Sequence, residues 1–177
     1  VENIPRKRRR FDAGGSGTLM GGVVHGSKAY AVRNSHQSLL HDTETGKLEA
    51  VIEPSAVAWI RTGAASGVAT KYMAQPDASV VGCIGTARQA ITQLQALCAV
   101  RPITQIKVYS RDQERREAFA TQMAADLGID VHAVDSTSAA LAGSQIVVAI
   151  TNSRTPVFDG AQLDAGTHVN AAGGNSY

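Results

Sequence analysis

The feature that most constrains this chain of 177 residues is the run VVGCIGTARQA at residues 80–90. Its apolar start indicates a buried strand, Gly85 indicates a tight turn, and the residues after it are typical of the opening of a helix. A strand, a glycine turn and a helix in this order place backbone N–H groups against a pyrophosphate. The run therefore favours a dinucleotide-using enzyme, with a purely structural strand-to-helix turn as the alternative.

The glycine pattern of this turn is degenerate. Ala87 stands at the usual second glycine and Ala90 at the third small position. A side chain at Gly85 would block the turn or the phosphate, and the methyl group of Ala87 would push the backbone away from a bound pyrophosphate. We predict that Gly85, Thr86, Ala87 and Gln89 bind the cofactor.

The second half of the sequence alternates strands with helices. Predicted strands cover residues 79–84, 105–109, 129–134, 145–150 and 167–171, and predicted helices cover 88–100, 113–127 and 137–142. Asp112 and Ser136 are suitable N-caps, and Gly128 is a suitable C-cap. Strands that alternate with helices imply right-handed crossovers and a parallel sheet, with residues 79–84 in its centre. The fold class predicted for this half is α/β, a doubly wound Rossmann-type domain.

The end of the second predicted strand bears on the type of dinucleotide. An NAD site usually has Asp or Glu there, which accepts hydrogen bonds from the ribose hydroxyls. This chain has Ser110 and Arg111, and a guanidinium pairs well with a 2′-phosphate. We therefore predict NADP or NAD as cofactor, with a preference for NADP. The alternatives are that Arg111 is solvated and that Asp112 only caps the helix.

The sequence of the first half predicts short strands and one helix. Strands are predicted at residues 28–32, 37–41 and 47–52, the last two forming a hairpin around a turn at 42–46. A helix is predicted from Pro54 toward Tyr72, interrupted near Gly63. The domain boundary is placed near Pro76, which separates a first domain at 1–75 from a dinucleotide-binding domain at 76–177.

Composition narrows the class of partner. Charged residues make up 18% and the formal net charge is +2, which is too small to imply a nucleic-acid partner. The basic run at residues 6–10 is interpreted as solvated; a localisation or nucleic-acid role, or one arginine entering an active site, stays open. The sequence contains no metal-binding spacing and no run of ~18 apolar residues, and we expect no signal peptide. We expect no metal, no membrane partner and a cytoplasmic location, and we expect Cys83 and Cys98 to be buried, reduced thiols.

Several longer motifs resemble those of the ornithine cyclodeaminase/μ-crystallin family. They are GSKAY (26–30), TGKL (45–48), RTGAASGVATKY (61–72), IGTARQA (84–90), TNSRTPVF (151–158) and GTHVNAAG (166–173), and they keep their order over nearly the whole chain. The resemblance implies a doubly wound dinucleotide domain at 76–177. It also implies that residues 1–75 form part of an α+β domain that binds substrate and forms a homodimer. It also implies NAD or NADP chemistry on amino, imino or keto acids. Against the family pattern the chain is expected to be truncated at both ends.

The resemblance also implies the substrate site. Lys28 and Arg61 match basic residues that hold the substrate carboxylate, and Arg6 best matches a third, with Arg8 as the alternative register. Charge-assisted hydrogen bonds from all three would suit one carboxylate. From the TNSRTPVF run, Thr151, Asn152 and Ser153 are predicted to bind the cofactor. Lys71 is expected on the exposed face of its helix.

One position departs from the cyclodeaminase pattern. Asn175 stands where cyclodeaminases carry a catalytic Asp, and an amide cannot serve as general acid or base. Catalytic roles are assigned to Lys28, Arg61 and Asn175, the last of which would orient a substrate amine or a water. The function predicted is an NAD(P)-dependent oxidoreductase acting on a small amino acid or its imino or keto form. The alternatives are a cyclodeaminase-type lyase and a non-catalytic, μ-crystallin-like binding protein.

Overall fold

The computed structural model describes residues 11–18, 24–31, 36–42, 44–52 and 55–173. The chain divides into two compact units, and the division falls between Ala58 and Trp59. The second unit therefore begins earlier than the dinucleotide domain predicted at 76–177, because it includes most of the helix that precedes Pro76. The assignment of substrate binding and dimerisation to the first part of the chain stays a prediction.

The first unit contains a four-stranded antiparallel sheet in chain order. Its strands are β1 (Phe11–Thr18), β2 (Val24–Ala31), β3 (His36–Asp42) and β4 (Leu48–Ile52). The predicted β3–β4 hairpin is confirmed. Its turn is held by the Asp42 carboxylate, which accepts hydrogen bonds from the amide and the hydroxyl of Thr45 at 2.6 and 2.8 Å. Strand β1 was missed, because its sequence, FDAGGSGT, is rich in glycine, which weakens strands.

The second unit is built on a five-stranded parallel sheet with the order β7-β6-β5-β8-β9. The strands and helices are β5 (Val80–Ile84), α2 (Arg88–Cys98), β6 (Gln105–Tyr109), α3 (Gln113–Leu127), β7 (Asp130–Ala133), α4 (Thr137–Leu141), β8 (Ile146–Ala149) and β9 (His168–Ala171), with one 3₁₀ turn at Gly160–Gln162. The chain winds outward from β5 to β7, then returns beside β5 with β8. This confirms the Rossmann-type fold and the central position of β5.

The three predicted helix caps are confirmed. Asp112 accepts a hydrogen bond from the amide of Arg115, and Ser136 accepts one from the amide of Ala139. Gly128 ends α3 in the left-handed conformation, with φ of +68°. These caps fix where α3 and α4 begin and where α3 ends, so the loops beside them are short.

Helix α1 (Ser55–Met73) precedes the parallel sheet, and it is continuous. The predicted interruption near Gly63 is wrong. A Cβ atom at Gly63 would lie 2.4 Å from the carbonyl oxygen of Thr92, so the glycine serves close packing against α2. The Thr92 hydroxyl also donates to the carbonyl of Trp59 at 2.9 Å. Gly67 packs against Ala96 one turn further on, so α1 and α2 run side by side in the same direction.

The far end of α1 is fixed by polar contacts. The Arg101 guanidinium donates to the carbonyl oxygens of Lys71, Ala74 and Gln75 at 2.8–2.9 Å. The buried Asn170 amide of β9 donates to the Thr70 hydroxyl at 2.9 Å. These bonds satisfy buried polar groups and attach α1 to the parallel sheet.

The core of the second unit lies between the parallel strands and the helices that cover them. Its fully buried members include Val81, Leu94, Ile106 and Met123. Cys83 is buried in β5, and burial raises the pKa of its thiol to about 12. Cys98 is only partly buried, contrary to the expectation of two buried thiols, and both are free. None of the helices in the described ranges is long and apolar enough to cross a membrane.

Candidate functional site

A cleft of about 1160 Å³ opens at the carboxyl ends of β5, β6 and β8. This is the edge at which the strand order reverses, where ligands of open α/β sheets bind. The nine residues predicted to bind the cofactor all line this cleft: Gly85, Thr86, Ala87, Gln89, Ser110, Arg111, Thr151, Asn152 and Ser153. The structure thus brings together three sequence segments that are separated by up to 68 positions, although the binding role of each residue stays a prediction.

The first wall of the cleft is the glycine turn between β5 and α2. Gly85 has φ of +116°, and a Cβ atom there would lie 2.2 Å from the carbonyl oxygen of Ile150. Its amide donates to the carbonyl of Tyr109 at 2.9 Å. Ala87 is the N-cap of α2 and supplies no side-chain hydrogen bond to the helix. The α2 terminus therefore directs its first N–H groups and the positive end of its dipole to this end of the cleft.

The second wall is the junction between β6 and α3. Here the Asp112 side chain accepts the amide of Arg115, and the Arg115 Nε lies 3.9 Å from the second carboxylate oxygen. Ser110, Arg111 and Arg115 line the cleft, and both arginines are exposed. The site-facing end of β6 therefore presents two guanidinium groups, while the Asp112 carboxylate is engaged as a helix cap.

A buried arginine supports this junction from behind. The Arg116 guanidinium donates to the Asp135 carboxylate at 2.6 Å and to the carbonyl oxygen of Ser110 at 3.2 Å. It also lies 6.0 Å from the centre of the Tyr109 ring. These contacts fix the backbone at Ser110, so the side chains of the second wall start from a rigid segment.

The third wall is the segment that follows β8. The amide of Ser153 donates to the Thr151 hydroxyl at 3.1 Å, and the Ser153 hydroxyl donates to the carbonyl of Thr155 at 2.8 Å. These short-range bonds shape the turn. Val157, which also lines the cleft, packs against a small apolar cluster that includes Ile84 and Val147. The wall is therefore held by its own hydroxyl groups and by apolar packing underneath.

Sequence reasoning missed two cleft residues with charged side chains, Arg88 and Arg115. Arg88 is the first residue of α2, and its guanidinium carbon lies 5.4 Å from the centre of the Trp59 ring. The available signal was the position of each arginine in the first turn of a helix after a parallel strand. That turn faces the ligand edge of the sheet.

The predicted substrate residues lie in different parts of the chain. Arg61 is exposed on α1, between Trp59 and Gly63, which both contact the first half of α2. It therefore lies at the end of α1 nearest to the start of α2. Lys28 lies in β2 of the first unit, paired with Gly14 and Ser38. Its convergence with Arg61 on one carboxylate stays a prediction.

Three predicted positions, Arg6, its alternative Arg8, and Asn175, fall outside the described residues. Lys71 is exposed, as expected. Within the described ranges no group of three or more His, Cys, Asp or Glu side chains could hold a metal ion.

Comparison with known proteins identifies relatives of both units. The model of the ornithine cyclodeaminase/mu-crystallin family matches residues 22–177. A Delta(1)-pyrroline-2-carboxylate reductase of Bacillus cereus is 38% identical over 135 residues, which cover 76% of this chain and 41% of the relative. The chain thus matches less than half the length of that curated relative.

Solved structures agree with this relationship. A Thermococcus litoralis Delta(1)-pyrroline-2-carboxylate reductase, in complex with NADH and L-proline, has 31% identity and a TM-score of 0.76; the match covers 93% of this chain and 58% of the reductase. A lysine cyclodeaminase, described with L-lysine, L-ornithine and L-2,4-diamino butyric acid, has 30% identity and a TM-score of 0.73; that match covers 84% and 46%. The fold is therefore shared by reductases and by a cyclodeaminase.

Proposed function

Because the chain belongs to the ornithine cyclodeaminase/mu-crystallin family, we propose that it functions as an NAD(P)-dependent oxidoreductase. Its substrate is a small amino acid or the corresponding imino or keto acid. The reductases it resembles act on a cyclic imino acid, as their names state, and one was solved with NADH and L-proline. The observation that carries the proposal is the cleft at the reversal point of the parallel sheet, lined by all nine predicted residues.

The residues of the cleft fit a dinucleotide. Gly85 provides the sharp turn, and α2 presents an N-terminus that no side chain of Ala87 caps. A diphosphate suits such a helix terminus, because the N–H groups and the dipole both favour negative charge. Thr151 and Ser153 supply hydroxyl groups on the opposite wall. When bound, the nicotinamide would supply hydride chemistry, and the protein would orient it toward the substrate.

The charge at the second wall favours the 2′-phosphorylated cofactor. Arg111 and Arg115 line the cleft at the end of β6, where NAD-specific sites place a free carboxylate. Asp112 is unsuited to bind the ribose hydroxyls. One of its carboxylate oxygens accepts a hydrogen bond from the Arg115 amide, and the other lies beside the Arg115 guanidinium. A phosphate would find two cations here and would not meet an unengaged carboxylate of this junction.

Substrate binding is assigned to Lys28 and Arg61, with Arg6 as a third cation. Arg61 supports this assignment by its position near the start of α2, beside the first wall of the cleft. A substrate carboxylate bound there would be held by charge-assisted hydrogen bonds. Homodimer formation is a further proposal, which rests on the family resemblance.

Cyclodeamination is the second candidate, favoured by the similarity to a lysine cyclodeaminase. It needs an acid–base group to manage the iminium and ring closure, whereas a reductase can take its proton from water. Asn175 replaces the Asp expected of cyclodeaminases by the resemblance. This replacement makes the reductase the preferred function.

The test is a paired assay on the protein. Oxidation of NADPH and NADH is followed with a panel of cyclic imino acids and of 2-oxo acids with amines, and Arg61→Ala serves as the matched variant. We expect oxidation with at least one substrate and a large rise in KM for the variant, with cofactor affinity unchanged. Stoichiometric ammonia and proline from ornithine with NAD, without net NADH, would contradict the reductase and establish the cyclodeaminase.

A further inference from the structure

The first turn of α2 carries an arginine for which the dinucleotide motif has no assigned role. We infer that Arg88 binds the diphosphate of the cofactor and replaces a backbone contact that Ala87 prevents. The inference rests on the proposed function, since it presupposes that a dinucleotide occupies the cleft. It deepens that function by naming a residue that the glycine pattern does not predict.

Ala87 creates the need for this residue. In the usual motif the second glycine lets the backbone approach the pyrophosphate closely. Ala87 has an extended backbone, with φ of −81° and ψ of 167°, so the alanine is unstrained there and lines the cleft. Its methyl group holds a diphosphate further from the backbone. A longer donor is then required to reach the phosphate oxygens.

Arg88 has the position and the reach to be this donor. It follows Ala87 directly, it is the first residue of α2, and it lines the same cleft. Its guanidinium lies 5.4 Å from the centre of the Trp59 ring. Trp59 is fixed in turn, because its carbonyl accepts the Thr92 hydroxyl of α2 at 2.9 Å. A guanidinium held over an aromatic ring keeps its N–H donors free at its edge, so it loses less entropy when it binds phosphate.

The charge of Arg88 is also uncompensated, in contrast to the charges of three other arginines of the second unit. Arg116 pairs with Asp135, Arg115 lies beside Asp112, and Arg101 is engaged by carbonyl oxygens. Arg88 forms no ion pair with any residue of the described second unit, 59–173. A cation without a carboxylate partner, beside an uncapped helix N-terminus, is a ready site for a doubly charged diphosphate.

A double-mutant cycle tests the compensation. Affinities of NADPH and NADH are measured by calorimetry for the unmodified chain, Arg88→Ala, Ala87→Gly and the double variant. We expect Arg88→Ala to weaken both cofactors equally, by roughly tenfold or more. In the Ala87→Gly background, where the backbone can approach the phosphate, the same substitution should cost less than about threefold. Thermal unfolding of each variant checks the fold, and exposure of Arg88 predicts little change.

Two further variants separate the role of Trp59 from that of charge alone. Trp59→Leu should weaken both cofactors by a smaller factor than Arg88→Ala, because the guanidinium remains but loses its platform. Arg88→Lys should recover part of the affinity.

Equal affinities for the unmodified chain and Arg88→Ala would overturn the assignment of Arg88 while the proposed function stands. An identical effect of Arg88→Ala in both backgrounds would overturn the compensation by Ala87. No binding of either cofactor by the unmodified chain would instead contradict the proposed function itself.

Discussion

The two strand-to-helix junctions that form the cleft differ in how they treat the unpaired N–H groups of the first helical turn. At the β5–α2 junction the N-cap is Ala87, which makes no side-chain hydrogen bond to the helix. At the β6–α3 junction the N-cap is Asp112, which accepts the amide of Arg115. The first junction leaves its backbone donors to a ligand, and the second satisfies one of them internally.

The difference teaches how the two ends of the cleft recognise anions. The first end offers backbone N–H groups and a helix dipole, which suit a diphosphate common to NAD and NADP. The second end offers the side chains of Ser110, Arg111 and Arg115, which suit a phosphate that only NADP carries. Affinity for any dinucleotide should therefore depend on the first junction, and discrimination between the two cofactors on the second.

The most damaging change is expected at the glycine of the first junction. Gly85→Ala must place a Cβ atom 2.2 Å from the Ile150 carbonyl oxygen at φ of +116°. Strain and overpacking together should lower the free energy of unfolding by about 3 kcal/mol or more. Urea unfolding measures the loss.

The matched control for that change is Gly128→Ala. Gly128 also has positive φ, +68°, but a Cβ atom there meets no atom within 4 Å. This variant should lose only the left-handed strain, about 1–2 kcal/mol. Equal losses for the two variants would show that the approach of Ile150 to Gly85 has no importance.

A carboxylate at the first junction should make the protein more stable and should weaken its binding of the cofactor. Ala87→Asp would give α2 the cap that α3 already has, so the free energy of unfolding should rise by about 1 kcal/mol. The added negative charge and the capped amide should weaken NADPH and NADH on the order of 100-fold. Calorimetric titration beside thermal unfolding checks both effects, and unchanged affinity would show that no phosphate binds at this turn.

The second junction should control discrimination. Arg111→Ala removes one of the two cleft guanidinium groups at the end of β6. We expect the Kd for NADPH to rise by about tenfold, and the Kd for NADH by less than twofold. Parallel titrations with both cofactors measure the ratio. No change in either Kd would assign Arg111 to the solvated surface, and equal losses would show that it does not distinguish the two cofactors.

The smallest effect is expected from the cap itself. Asp112→Ala leaves the amide of Arg115 without its partner, so the free energy of unfolding should fall by about 1 kcal/mol. Ser136→Ala at the start of α4 is the matched control and should lose a similar amount. NADPH affinity should change by less than threefold for Asp112→Ala, because Arg111 remains. A larger loss of NADPH affinity in Asp112→Ala than in Ser136→Ala would show that Asp112 also holds Arg115 in position for the ligand.

Much of the parallel sheet was predictable, because buried strands alternate there with helices and because turn and cap residues mark where these elements begin and end. Residues 80–84 are apolar and Gly85 must follow them, while Asp112, Gly128 and Ser136 mark helix ends by local chemistry alone. These cap residues keep their predicted roles in the fold, because each finds its hydrogen-bond partner within a few residues along the chain.

Other features depend on contacts between distant segments, which no local pattern reveals. Gly63 suggested a break, yet it lies in a continuous helix because Thr92, 29 positions away, packs against it. The contact between Arg88 and Trp59 joins two helices that are also 29 positions apart. Strand β1 pairs with β2 despite its glycines, because tertiary pairing can override weak strand propensity.

The central claim is that the cleft between the two junctions binds a dinucleotide, with NADPH preferred. Calorimetric titration of the unmodified chain with NADPH, and separately with NADH, measures this directly. The account predicts one site per chain, with NADPH bound at least several-fold more tightly than NADH. Absence of heat and of competition for either cofactor at millimolar concentration would contradict the claim, and tighter binding of NADH would contradict the role given to Arg111 and Arg115.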